Sequence, residues 1–118
     1  MPDVIVQLNQ ANLSASTKTT NLLANTELAN VPIGDSDVYE VNVYVVSSAA
    51  GVNLTLQSAE QTLINDKEII AIGTTLNTLD HNVGSFYVTA GAPLQLTLRE
   101  TAAAATTDVL LRIEANPA

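Results

Sequence analysis

The stretch from Val38 to Gln57, V-Y-E-V-N-V-Y-V-V-S-S-A-A-G-V-N-L-T-L-Q, decides the fold. Apolar and polar residues alternate from Tyr39 to Val45, and the alternation resumes at Val52 after a break of small residues. Successive side chains of a strand point to opposite faces, so this period predicts two half-buried strands. We predict that they form a hairpin with an apolar core face. The polar side would carry Glu40, Asn42, Tyr44, Asn53, Thr55 and Gln57.

Short patterns of the same kind continue on both sides of this stretch. Further strands are predicted at residues 4–8, 68–72, 84–89, 94–99 and 109–114, and one more ending at Ile33. Residues 24–30 could instead make a helical turn, and residues 59–65 a short helix. Seven or eight short strands without a long helix predict an all-β antiparallel sandwich, for which a jelly roll is the natural form. The strand connectivity does not follow from the pattern.

The length of 118 residues predicts one domain. Residues 1–33 would provide an N-terminal strand and an arm, and residues 38–114 the sandwich core. The chain has no cysteine, so disulfides and thiolate–metal sites are excluded. Met1-Pro2-Asp3 lacks the features of a secretory signal, and no apolar stretch reaches transmembrane length.

The charge balance argues against two classes of partner. Twelve carboxylates stand against four cations, for a formal net charge of −8. The cations are scattered along the chain at Lys18, Lys67, Arg99 and Arg112. Binding to nucleic acid or to an anionic membrane needs clustered Lys and Arg, so neither partner is expected.

Catalytic chemistry finds little support in the sequence. His81 is the only histidine, and its neighbour Asp80 could in principle belong to a Ser–His–Asp system. The two residues occupy a turn-like stretch, however, and no Gly-x-Ser-x-Gly elbow is present. We therefore predict a loop histidine and no catalytic residue. An enzyme whose site is a pair of carboxylates brought together by the fold is a further alternative.

A calcium loop is the metal site that we considered. Asp35, Ser36, Asp37 and Glu40 place oxygen ligands close together, but the EF-hand spacing and its glycine are missing. Asp35 and Asp37 could equally make turn-forming hydrogen bonds to the backbone. We expect no metal and no cofactor.

Two segments are candidate protein contacts. Residues 9–21, rich in Asn, Ser and Thr, are predicted to form a loop or an extended arm lying on a neighbour, and Asn12 and Leu13 are the candidate contact residues. Residues 101–107 read T-A-A-A-A-T-T, which is unusual for a strand connection. An apolar tip favours protein contact at Ala102, Ala103, Ala104 and Ala105. The alternative is an Ala-rich helical turn folded onto its own sandwich.

The strand pattern resembles small phage virion β-sandwich modules. The similarity covers Val38–Gln57, Ile69–Leu76, Phe86–Glu100 and Asp108–Glu114, and consists of alternating strands, small turns, few aromatic residues and little lysine. Such modules serve as capsid decoration (cement) proteins or as tail and fibre domains.

The resemblance implies a non-enzymatic structural protein on the capsid exterior, made in the host cytoplasm. Its partner would be the major capsid protein or another virion protein, and it would be a homo-oligomer, with a trimer favoured. The alternative is a carbohydrate- or receptor-binding module of a tail or fibre protein, which would present exposed tyrosines such as Tyr44 or Tyr87 beside Asn and Asp.

Overall fold

Seven strands form two sheets. A computed structural model describes residues 4–13, 19, 21–34, 36–77, 81–100 and 107–118, with the backbone alone for residues 10–13. The strands are β1 (Val4–Leu13), β2 (Val38–Ser47), β3 (Val52–Ser58), β4 (Gln61–Glu68), β5 (Asn82–Thr89), β6 (Leu94–Glu100) and β7 (Thr107–Pro117). The described residues contain no helix. The predicted all-β antiparallel sandwich is therefore confirmed, while the jelly-roll form stays a prediction.

The chain crosses several times from one sheet to the other. The larger sheet has the order β1-β7-β2-β5 and the smaller one the order β4-β3-β6, with antiparallel pairing throughout. The predicted hairpin between β2 and β3 is wrong, because these strands belong to different sheets. Alternation reveals which face of a strand is buried, and both apolar faces do point into the core. It does not reveal that they approach the core from opposite sides.

The core lies between the sheets and is almost wholly aliphatic. Tyr39 is its one fully buried aromatic residue in the described part of the chain. The inner faces of the four best-packed strands contribute Tyr39, Val41, Val43 and Val45; Val52, Leu54 and Leu56; Leu94, Leu96 and Leu98; and Val109, Leu111, Ile113 and Ala115. Burying one Val, Leu or Ile side chain stabilises a fold by roughly 1.5–3 kcal/mol, so these strands hold the two sheets together.

Strand β4 lies where the sequence predicted a short helix followed by a strand. The short helix expected at residues 59–65 is wrong: a two-residue turn at Ala59-Glu60 joins β3 to β4, and Ala59 adopts a left-handed φ of 54°. The strand expected at residues 68–72 is also wrong, since β4 ends at Glu68. Irregular pairing with β3 explains the miss, because register shifts interrupt the alternation of side chains.

Residues 21–34 form turns instead of the strand predicted to end at Ile33. Together with Thr19 they follow the outer edge of β6. The backbone N–H groups of Thr19 and Leu22 donate to the carbonyls of Leu98 and Leu96 at 2.9 and 2.8 Å. In return, Leu96 N–H donates to Asn21 Oδ1 at 3.0 Å. This edge of the smaller sheet is therefore covered without a regular strand.

Strand β1 is longer than predicted. It continues to Leu13, where it pairs with Thr107, instead of ending at Leu8. Asn9 to Leu13 thus belong to the sheet, although the sequence predicted the start of an arm there.

Candidate interaction surfaces

His81 closes a loop. Its Nδ1 accepts a hydrogen bond from Asn77 N–H at 2.9 Å, and its own N–H donates to the Asn77 carbonyl at 3.0 Å. The His81 carbonyl then accepts from Val45 N–H, which ties the loop to β2. His81 lines an open depression of about 330 Å³ together with Lys67 and Glu68. Asp80 lies outside the described residues. The imidazole of His81 therefore holds the backbone of Asn77 in place.

The residues of the candidate calcium loop make other contacts. Ser36 Oγ donates to the Ala118 carbonyl at 2.8 Å and accepts from Val38 N–H at 3.3 Å, so the hydroxyl of Ser36 organises the turn. Asp37 is exposed, and its carbonyl accepts from Ala90 N–H. Asp35 lies outside the described residues. No group of three or more potential metal ligands occurs in the part of the chain that the structure describes.

Of the predicted contact residues, the structure describes Asn12 and Leu13. Asn12 and Leu13 lie at the end of β1, where the backbone of Leu13 pairs with Thr107. Ala102, Ala103, Ala104 and Ala105 lie outside the described residues. Their described flanks, Glu100 and Thr107, are both fully buried at this same end.

Two exposed isoleucines stand at this end and were missed by the sequence analysis. Ile70 is 82% exposed and Ile72 is 53% exposed. We call them the isoleucine tip. They alternate with Ile69, which is buried, and with Ala71, which is half-buried. The sequence E-I-I-A-I predicts only a strand and does not distinguish its inward from its outward positions. All four residues from Ile69 to Ile72 are apolar, so no polar residue marks the outward side of this segment.

The backbone holds the isoleucine tip in place. Ile69 N–H donates to the Val52 carbonyl at 2.8 Å, and Ser47 N–H donates to the Ala71 carbonyl at 3.1 Å. Gly73 N–H donates to the Ser47 carbonyl at 2.9 Å, which completes a short parallel bridge between Ser47 and Ile72. The tip therefore exposes apolar surface on a segment whose backbone is already fixed.

The opposite end of the sandwich also exposes apolar side chains. Ile33 is 87% exposed and contacts Gly91, while Tyr87 and Val38 are 68% and 41% exposed on neighbouring strands. Three exposed acidic residues also lie toward this end: Glu27, Asp37 and Glu60.

A second candidate surface is the outer face of the larger sheet, which we call the polar face. It comprises Gln7, Glu40, Asn42, Tyr44, Ser85, Tyr87, Arg112 and Glu114. Ser85 Oγ donates to Asn42 Oδ1 at 2.5 Å, and Asn42 Nδ2 donates to Glu40 Oε1 at 3.2 Å. Arg112 Nε donates to Glu114 Oε2 at 2.6 Å. Its polar groups are thus largely paired with one another.

The two tyrosines of the polar face stand apart. Tyr87 is opposite Glu40, and Tyr44 is opposite Arg112. Glu40 and Tyr44 are four residues apart on β2, which at roughly 3.3 Å per residue puts the tyrosines about 13 Å apart along the strand. Tyr87 is exposed, Tyr44 is half-buried and Tyr39 is buried.

The polar residues predicted on one surface divide between two. Glu40, Asn42 and Tyr44 belong to the polar face, whereas the polar residues of β3 lie on the outer side of the smaller sheet. There Arg99 forms an ion pair with Asp66, whose hydrogen bond and charge raise the pKa of Arg99. Asn53, Thr55 and Gln57 complete this separate face.

Comparison with known proteins gives no relative: no protein-family model matches the chain, and no curated protein is significantly similar to it. The described residues include no helix that is long and apolar enough to cross a membrane.

Proposed function

We propose that this chain is a non-enzymatic virion structural protein, a decoration or cement protein that binds the exterior of a phage capsid. The observation that carries the proposal is the isoleucine tip, two exposed apolar side chains on a fixed backbone at the end that also holds Leu13 and the flanks of residues 101–106. The major capsid protein, or another virion protein, would be the partner. Synthesis in the host cytoplasm and a trimeric assembly belong to the same proposal.

The physical argument rests on preorganisation. An exposed isoleucine gains free energy when a partner covers it, roughly 1.5–3 kcal/mol for complete burial. Ordering a flexible loop would cancel part of this gain, but three backbone hydrogen bonds already order the segment from Ile69 to Gly73. Exposed apolar patches of this kind mark protein contacts.

Co-sedimentation with capsids purified without this protein tests the proposal. The double variant Ile70→Glu/Ile72→Glu should weaken binding at least about tenfold, because each tenfold change in affinity corresponds to about 1.4 kcal/mol. Ile33→Glu is the matched control, since Ile33 is equally exposed at the opposite end. Wild-type protein that does not sediment with capsids would refute the proposal, and so would equal loss of binding in the control.

A carbohydrate- or receptor-binding module is the second candidate. The polar face favours it, because it combines an exposed Tyr87 with a half-buried Tyr44 and with the Arg112–Glu114 pair. An aromatic ring beside hydrogen-bonding side chains can stack on and orient a sugar. Glycan-array binding that Tyr87→Ala abolishes would support this candidate, and the absence of any bound glycan would exclude it.

The jelly-roll form belongs to the proposal as well. An eight-stranded jelly roll has two sheets that share strands from two Greek keys. The strand orders β1-β7-β2-β5 and β4-β3-β6 support it, with Thr19, Asn21 and Leu22 in the position of an eighth strand beside β6.

A further inference from the structure

The smaller sheet protects both of its edges. Thr19, Asn21 and Leu22 cover the edge of β6. The other edge, β4, carries Asp66, Lys67 and Glu68 within its eight residues, and register shifts interrupt its pairing with β3. Charged side chains and bulges are the usual means by which proteins prevent a free strand from pairing with another chain.

Within the described residues, neither edge of the larger sheet pairs with a further strand. Its edge strands are β1, V-I-V-Q-L-N-Q-A-N-L, and β5, N-V-G-S-F-Y-V-T. Neither strand contains a charged residue or a proline, although the whole chain has a net charge of −8. Among the described residues, β1 pairs only with β7 and β5 only with β2. Two long neutral strands are therefore left open for pairing.

The backbone pattern shows which residues occupy the open edges. Ala90 N–H donates to the Asp37 carbonyl, and bonded pairs alternate along an antiparallel ladder, so the N–H groups of Ser85, Tyr87 and Thr89 point away from β2. The bond between Ala118 N–H and the Val38 carbonyl fixes the same alternation between β2 and β7. Continued through β7 to β1, the alternation leaves three positions of β1 whose backbone N–H and carbonyl groups point away from β7, toward the opposite edge of the sheet. Those positions are Ile5, Gln7 and Asn9.

We propose that β1 of one copy pairs with β5 of a second copy, so that the larger sheet continues from copy to copy. Strand directions alternate in the order β1, β7, β2, β5, so β1 of the next copy runs antiparallel to β5 when both copies have the same orientation. The contact is head-to-tail and closes into a ring if its rotation allows. It rests on the proposed function for the homo-oligomer, and it names the surface that joins the copies.

The side chains at the two edges fit this partner. Ile5 is 44% exposed and Tyr87 is 68% exposed, both on the outer face of the sheet. Ile5 lies level with Ser85, because both align with the pair Asn42–Glu114 across the sheet. Ile5 of one copy would therefore be the diagonal neighbour of Tyr87 in the next, a distance that an aromatic ring can span. Two copies that repel each other through their net charge meet here without charged residues.

Sedimentation velocity of the purified chain, without capsids, tests the inference. Wild-type protein should self-associate in a concentration-dependent manner. Ile5→Glu/Tyr87→Glu should shift it to monomer, because two carboxylates would face each other between copies, whereas Ile5→Lys/Tyr87→Glu should restore association. Ile70→Glu is the control and should associate like wild type. Gln7→Pro, which removes one outward N–H and leaves the pairing with β7 intact, should weaken association independently.

Three results would overturn the inference: monomeric wild-type protein at the highest attainable concentration, association that persists in Ile5→Glu/Tyr87→Glu, or an Ile5→Lys/Tyr87→Glu protein that remains monomeric although its circular dichroism is unchanged. The proposed capsid binding is judged separately. Ile70→Glu/Ile72→Glu should lose capsid binding and keep self-association, so the two ideas fail in different assays.

Discussion

Asn21 offers a sharp test of how the edge of β6 is covered. Its side-chain Oδ1 accepts hydrogen bonds from the N–H groups of Leu23 and Leu96, both at 3.0 Å, and its Nδ2 donates to the Leu94 carbonyl at 3.4 Å. The side-chain amide therefore pairs with backbone groups at the edge of β6, as the backbone of a neighbouring strand would. Asn21→Ala removes it while leaving the backbone of this turn in place.

The expected cost follows from these bonds. A buried donor left without a partner costs about 1–3 kcal/mol, and Asn21→Ala strands two donors. Asn21 is only half-buried, so water can reach part of the space that the amide leaves. We therefore expect a total loss of about 2 kcal/mol in the free energy of unfolding. Asn21→Asp retains the accepting oxygen and loses only the long bond to Leu94, so it should cost clearly less.

Urea unfolding at a fixed protein concentration measures the difference. The midpoint should fall in Asn21→Ala with an unchanged slope, which signals lost stability and not a changed denatured state. Asn65→Ala, at an exposed position of β4, is the control and should stay within about 0.5 kcal/mol of wild type. The reasoning fails if Asn21→Ala matches that control, or if Asn21→Asp is as destabilising as Asn21→Ala.

Three further predictions concern the core and its surroundings. Leu56→Ala, in the centre of the smaller sheet opposite Leu96, should lower the free energy of unfolding by about 2–5 kcal/mol, against little change for the outward Gln57→Ala; equal urea midpoints would contradict the packing. Gly34→Ala places a methyl group 2.6 Å from the Tyr39 hydroxyl and should cost about 1–3 kcal/mol, whereas Gly73→Ala meets only an ordinary contact at 3.6 Å; calorimetric melting temperatures distinguish the two. Asp66→Asn should lower the melting temperature equally at about pH 6 and about pH 9. The hydrogen bond and charge of Asp66 raise the pKa of Arg99, so Arg99 stays charged and the pair stays intact at both pH values, and it is lost only at a much higher pH. A difference in melting temperature between variant and wild type that changes between the two pH values would contradict the pairing.

The sequence predicts the strands far better than their partners. β2, β3, β6 and β7 are recognisable because a half-buried strand must alternate, and each does. β4 escapes because its pairing with β3 shifts register and Asp66 adopts a left-handed φ of 49°, so its apolar residues lose their period. The pairing of β2 with β7 joins residues far apart in sequence, and no local signal specifies it.

Much the same limit applies to the candidate surfaces. Alternation correctly assigns Glu40, Asn42 and Tyr44 to an outward face, but only the strand order reveals that Arg112 and Glu114 lie beside them. The isoleucine tip was beyond prediction for another reason. Ile69 and Ile70 are chemically identical, and only the bridge to Ser47 decides which of the two faces the solvent.

The place of β7 between β1 and β2 has a consequence for how the chain folds. During synthesis β7 leaves the ribosome after both of its neighbours in the sheet, β1 and β2. These two strands therefore cannot complete their pairing until the end of the chain has been made. The register spans nearly the whole chain, from Val4 to Ala115, and such long-range pairing closes slowly. A chain interrupted after Glu100 would leave one edge of β1 and one edge of β2 without the strand that pairs with both, which favours aggregation. The synthesis of β7 therefore covers one edge of β1 and one edge of β2 in a single step.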